Sequence, residues 1–389
     1  MVQTKIPLIV LCLVIVVGSS AINAQDYWEP VTNITGYIST EFNYFDDLHG
    51  YDVNYGASVS EAGLLITYRP TEKFTLKSVF VYRPEYTFDQ MLNEVFGELT
   101  ISDLLKFKVG RYLVSLSPIN SYYYAPVNTS ATLPIIISNH EFFPQNIDGI
   151  SMNGSVGEDI KFKYDIFAGG YRNTIWLPLG PVGFVGTEVP YFQEQINSLY
   201  SFDHAYHGKY NVAVGGAIRA SYKTFFEVGA GIFRPKKETI PVKVHIPDDD
   251  LFNDFAQTTT VIDNGYERPT YGFNAKVQYN NTRLIGEWWK GNWKNDPILF
   301  NYEGDDIPLS TGGDVALEGS FVELSHRLNK FTPYLRYEDQ LTIDVEYTRY
   351  TIGVNYKPSF TQTVKLEYLL YDHESGQVNG LVGTLIYSF

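Results

Sequence analysis

The sequence predicts an all-β protein: a transmembrane antiparallel β-barrel of about 16 strands, with short turns at one rim and long loops at the other. Three observations predict it. From about residue 33 onward, segments of roughly ten residues alternate apolar and polar side chains, the period of strands with two unlike faces. The connections between those segments are by turns tight and long. Beyond the first two dozen residues no apolar run reaches the ~18 residues that a spanning helix needs, so any crossing is made by strands.

At the start, Lys5 is followed by an apolar run from Ile6 to Val17 and by small residues through Ala24, the pattern of a cleaved export signal over residues 1–24. The run is about a dozen residues, short of the ~20 of a membrane anchor. Leu11 precedes Cys12 where a lipidation site needs a small residue, which argues against a lipid anchor. Without Cys12, the single domain expected over residues 25–389 has no cysteine, so disulfides, thiol catalysis and cysteine-bound metals are excluded together. Aromatic residues make up 16% of the chain, with 31 tyrosines, yet mean hydropathy is slightly negative. A barrel wall reconciles the two, because only alternate side chains face lipid and aromatics gather at the interfaces. The net charge of −15 argues against a nucleic-acid partner, which would require a basic face.

Sixteen strand candidates follow, near 33–45, 57–69, 74–83, 91–101, 105–113, 148–156, 160–171, 208–222, 225–234, 268–280, 282–292, 316–328, 331–340, 344–356, 361–373 and 379–389. In the seventh, Phe162, Tyr164 and Ile166 oppose Lys161, Lys163 and Asp165; in the fifteenth, Val364, Leu366 and Tyr368 oppose Lys365 and Glu367. The tight connections include Pro70 to Lys73, Gly157 to Asp159, Lys223 to Thr224, Asn280 to Asn281 and Asn329 to Lys330, rich in turn formers or simply brief. The long ones run near 114–147, 172–207, 235–267 and 293–315. A soluble sandwich alternates too, but has no reason to keep that rhythm. In the last strand Leu381, Gly383, Leu385, Tyr387 and Phe389 share one face, with Thr384 and Ser388 opposite.

The stretch Leu105 to Pro126, LKFKVGRYLVSLSPINSYYYAP, carries a Gly110-Arg111-Tyr112 step at a strand end and a Ser117-Pro118 step in the loop that follows. It resembles Gram-negative outer-membrane porin-like barrels, including bacteroidete members. The resemblance implies an outer-membrane channel for passive diffusion of small hydrophilic solutes, surrounded by outer-membrane lipid and lipopolysaccharide and assembled as a homotrimer. No cofactor or metal is implied.

A closed barrel of this strand number is too wide for side chains to fill, so its interior is wet unless a segment plugs it. The segment Val114 to Ile147, with Tyr122 to Tyr124, Ile135 to Ile137, Phe142 and Phe143, suits a loop folded into the lumen. Alternation turns Lys77, Lys108, Lys161, Lys163, Arg219, Lys276, Arg283, Arg336 and Lys365 inward, along with Glu94, Glu98, Glu227, Glu287, Glu323 and Glu367. Arg111 is the leading constriction candidate; strict alternation would put it with Phe107 and Val109, and a bulge at Gly110 would re-aim it. Basic walls beside acidic loops at Asp248 to Asp250, Asp305 and Asp306 suggest a transverse field. Trp176, Trp288, Trp289 and Trp293, near strand ends, suit the outer interface. Asp203, His204 and His207 share a loop without a metal-ligand spacing, and no nucleophile and base pairing is recognisable. An adhesin or structural barrel and a membrane-embedded hydrolase are the alternatives.

Overall fold

The computed structural model describes residues 29–389 except 47–54, 85–90, 123, 139–141, 173–209, 248–256, 296–297, 303–304, 311–312, 343–344 and 374–375. Residues 1–24, where an export signal is expected, Trp176, the Asp203–His204–His207 set and Asp248 to Asp250 lie outside the described residues. Among the described residues no helix is long and apolar enough to cross a membrane.

The strands are β1 (Val31–Phe45), β2 (Tyr55–Thr71), β3 (Phe74–Tyr82), β4 (Leu92–Ser102), β5 (Leu105–Leu113), β6 (Asn146–Val156), β7 (Ile160–Arg172), β8 (Tyr210–Tyr222), β9 (Phe226–Pro235), β10 (Glu238–Pro247), β11 (Gln257–Glu267), β12 (Thr270–Tyr279), β13 (Thr282–Asn295), β14 (Ile298–Tyr302), β15 (Asp305–Ser310), β16 (Gly313–His326), β17 (Phe331–Thr342), β18 (Val345–Tyr356), β19 (Gln362–His373) and β20 (Gly376–Ser388). Sixteen of them form one closed antiparallel barrel. Neighbours in sequence pair throughout, except that β9 pairs β12, β13 pairs β16, and β20 returns to β1. Each expected strand coincides with one barrel strand.

The four other strands are two hairpins, β10–β11 and β14–β15, inside connections expected to be plain loops. Ile240, Val242, Val244 and Ile246 do alternate along β10, but Pro241 among them reads as a strand breaker. The hairpin leaves the barrel at the outer rim, touching it where Tyr266 and Glu267 pair Asn295 and Lys294.

Three tight turns adopt left-handed backbone at the residues the sequence marks: Lys223, Asn280 and Asn329, with φ of 50°, 51° and 56°. The barrel closes at its two ends. β1 pairs β20 from Tyr37↔Ser388 to Phe45↔Gly380, and Gly36 and Phe389 exchange two backbone hydrogen bonds of 2.9 Å. A Cβ on Gly36 would lie 2.5 Å from the Phe389 ring, so the ring rests on the backbone where glycine has no side chain.

The outer surface is apolar. Val364, Leu366 and Tyr368 on β19 and Leu381, Leu385 and Tyr387 on β20 project away from the barrel, while Lys365, Glu367 and Thr384 between them are buried inside. Aromatic pairs mark both ends of this belt, Phe331–Tyr356 (4.5 Å) beside a tight turn and Phe273–Trp288 (5.9 Å, stacked) toward the long loops. Because hydrocarbon cannot solvate a guanidinium, Leu366→Arg at mid-strand is expected to destabilise the folded barrel by about 2–4 kcal/mol in urea titrations in lipid.

Candidate functional site: the barrel lumen and its inserted loop

The loop after β5 returns to its own root, where Val114 N–H donates to the Gln145 carbonyl at 3.0 Å. Between those points it touches the wall almost all the way round. Ser117 Oγ donates to Glu287 of β13 (2.7 Å), Tyr124 to Glu94 of β4 (2.8 Å) and the Ala125 amide to Glu61 of β2 (3.0 Å). Glu367 of β19 accepts from the Ala131 amide (2.7 Å), the Thr132 amide (3.0 Å) and hydroxyl (2.7 Å), and Tyr334 (2.6 Å). Arg349 of β18 donates to the Leu133 carbonyl (2.6 Å), and Lys365 to the Ala125 and Ser130 carbonyls (2.7 and 2.8 Å). Only a segment inside the cylinder can meet strands on opposite sides of it.

The loop folds inward because its middle is apolar. The single helical turn Ile135–Ser138 buries Ile135, Ile136 and Ile137. With Leu116, Phe142 and Phe143 it packs on Trp289, Leu317, Phe321 and Phe233 of the wall, Phe143 meeting Trp289 edge to face at 4.6 Å. Gly319 leaves room for this packing, since a Cβ there would stand 2.6 Å from Ile136.

These contacts fix which face is inward. Lys77, Lys108, Lys161, Lys163, Arg219, Lys276, Arg283, Arg336 and Lys365 lie on it, as do Glu94, Glu98, Glu227, Glu287, Glu323 and Glu367. Their surroundings differ. Lys77 pairs Glu94 (2.5 Å), Lys108 pairs Glu98 (3.6 Å) and lies over the Phe96 ring, and Lys163 pairs Glu227 (3.1 Å). Arg219 donates to the Ser115 carbonyl. Beneath the loop, Glu323 faces Arg283 (3.1 Å) and Arg336 (3.5 Å), Arg336 faces Glu338 (2.8 Å), and Glu338 accepts from Arg349. Glu338, Arg349, Glu61 and Lys106 also belong to this face: Glu338 and Lys106 stand two positions from Arg336 and Lys108 on β17 and β5, and Arg349 and Glu61 follow the alternation of β18 and β2.

Arg111 is a correction. The pairing is unbroken through Val95↔Arg111 and Arg111↔Asp148, so no bulge re-aims it. Lys108 and Tyr112 point inward and Arg111 outward, where it grips Asp148 through Nε (2.5 Å) and Nη2 (2.7 Å) and donates to the Leu92 carbonyl (3.1 Å). Gly110, with φ of 127°, lies so close to β4 that a Cβ would be 2.2 Å from the Val95 carbonyl. Of the acidic loops expected to set a transverse field, Asp248 to Asp250 lie outside the described residues, and Asp305 and Asp306 belong to β15, in the hairpin between β13 and β16. Of the tryptophans, Trp288 is at the outer interface and bonds Glu318 (2.8 Å), but Trp289 is fully buried inside.

A closed sixteen-strand barrel with a loop drawn into its lumen is the porin-type architecture. No family model and no curated protein matches this chain. Solved structures do. An anion-selective porin from Comamonas acidovorans is similar at TM-score 0.59 and 13% identity, over 93% of this chain and 100% of that one. OmpT, an outer-membrane protein of Vibrio cholerae, is similar at 0.56 and 13%, over 94% and 99%. OmpF of Salmonella typhi, solved with daunomycin, is similar at 0.52 and 12%, over 92% and 97%. At such identities the likeness is one of fold; the exposed apolar belt of this chain suits a barrel whose outside faces lipid.

Glu367 is buried with four donors on it, so Glu367→Ala strands polar groups on wall and loop alike and is expected to cost about 3–5 kcal/mol. Lys163→Ala, in a partly exposed pair, is expected to cost at most about 1 kcal/mol. Chemical unfolding of the two variants side by side checks the contrast.

Proposed function

We propose that the chain is a passive diffusion channel for small hydrophilic solutes, exported by removal of residues 1–24 and working without catalysis. The observation that carries this reading is the loop Val114 to Gln145 held inside a cylinder too wide for its own side chains to fill. Passage runs through what the loop leaves of the bore. There polar side chains replace part of a solute's hydration shell, while the fixed loop sets the width. Outer-membrane lipid and lipopolysaccharide surround the belt. A homotrimer is part of the proposal, supported by the fold shared with OmpT of Vibrio cholerae, which has been solved in a trimer form.

Purified barrel in a planar bilayer is expected to give discrete single-channel steps, and liposomes containing it to swell in small sugars. Silence in both assays would end the proposal. Replacing residues 126–138 by a short Gly-Ser link is expected to raise the unit conductance, and unchanged steps would remove the loop from the constriction. Arg111→Gln, outside the lumen, is expected to leave conductance as it is.

A further inference from the structure

Inside the barrel, charge of one sign is covered more than the other. The inward carboxylates Glu61, Glu94, Glu287, Glu323, Glu338 and Glu367 are all 6% exposed or less, whereas among the inward cations of the strands only Arg336, Arg349 and Lys365 are so deeply buried. The cause lies in the loop. Its amides and hydroxyls end on Glu61, Glu94, Glu287 and Glu367, and its described residues bring no carboxylate to cover a cation in return.

What stays in water is therefore basic. On the wall from β4 to β12, Lys106, Lys108, Lys161, Lys163, Arg219 and Lys276 face inward and keep exposed surface, against Glu98, Asp165 and Glu227. Lys106, Lys161, Lys163 and Arg219 line one cavity of about 220 Å³, with Asp103 and Asp165 as its carboxylates. Asp165 accepts from Ser151 at 2.9 Å and Lys163 reaches Glu227 at 3.1 Å. Ser115, at the loop's root, and Asn153 also line it. Arg219 Nε, Asn153 Nδ2 and Ser115 Oγ are buried there without a hydrogen-bond partner. These atoms are closed even to water, so the groups that meet an anion in the cavity are the partly exposed lysine ammoniums.

We propose that this cavity binds small oxyanions, carboxylates and phosphates alike, and that it makes the passage anion-selective although the whole chain carries −15. The selectivity rests on the channel reading; the binding does not. Three ammonium groups and a guanidinium attract the anion, and the open side of the cavity lets it leave, as conduction requires.

Inorganic phosphate is the probe. Titrated into the refolded barrel in detergent, it is expected to give saturable binding by calorimetry that is lost in Lys106→Glu/Lys163→Glu, with circular dichroism checking that the variant is folded. Lys106→Gln/Lys163→Gln is the fallback pair if it is not. In a bilayer under a KCl gradient, the wild-type reversal potential is expected to lie toward that of chloride and to move toward potassium in the double variant. A wild-type channel that prefers potassium, or a folded barrel indifferent to phosphate, overturns the inference and leaves the channel standing. Phosphate binding without any current supports the site and defeats the channel alone.

Discussion

Hydrocarbon offers nothing to a backbone N–H or C=O, so a sheet that crosses it can have no free edge. Here that requirement is met at the seam between the two ends of the chain, where nine residue pairs join β1 to β20 and the Phe389 ring covers Gly36. Closing over sixteen strands leaves a bore wider than inward side chains can span. The wall's polar inner face then needs partners, and the loop after β5 supplies them. The apolar belt, the inserted loop and the division of charge inside all follow from the same closure.

Much of this was legible in the sequence, and for a definite reason. A period of two is a local property, so strands such as β7 and β19 declare themselves without knowledge of their neighbours. The same parity assigned the inward side chains, and the turns at Lys223, Asn280 and Asn329 carried their own signal. What escaped depends on distant contacts. The hairpin β10–β11 holds Pro241 against Asp263 in a ladder beyond the barrel wall, a setting that local propensity cannot foresee. Arg111 follows the alternation rather than a bulge: Gly110 answers to the close approach of β4, and the register runs on through it. Trp288 and Trp289 share a composition signal but not a face, because adjacent strand residues point opposite ways and only one of the two can reach lipid.

The buried charges under the loop have a positional role. An ion pair out of water gains little net stability over a well-packed apolar pair, because desolvation offsets the attraction. Glu323, Arg336, Glu338 and Arg349 nevertheless form a continuous row across β16, β17 and β18. Each carries directional bonds that greasy side chains lack, and Arg336 extends the row to Ser130 and Thr132 of the loop. The row gives the loop one seat where an oily wall would have offered many.

Most of the hands that hold the loop grasp its main chain. Glu367 takes the amides of Ala131 and Thr132, Lys365 the carbonyls of Ala125 and Ser130, and Arg349 that of Leu133. Every residue type except proline brings those same groups, so much of the loop's route is written in the staves of the barrel. Beyond the apolar turn at Ile135 to Ile137 and the few side chains that grip the wall, what slips past is retuned by changes that leave the thread in its groove.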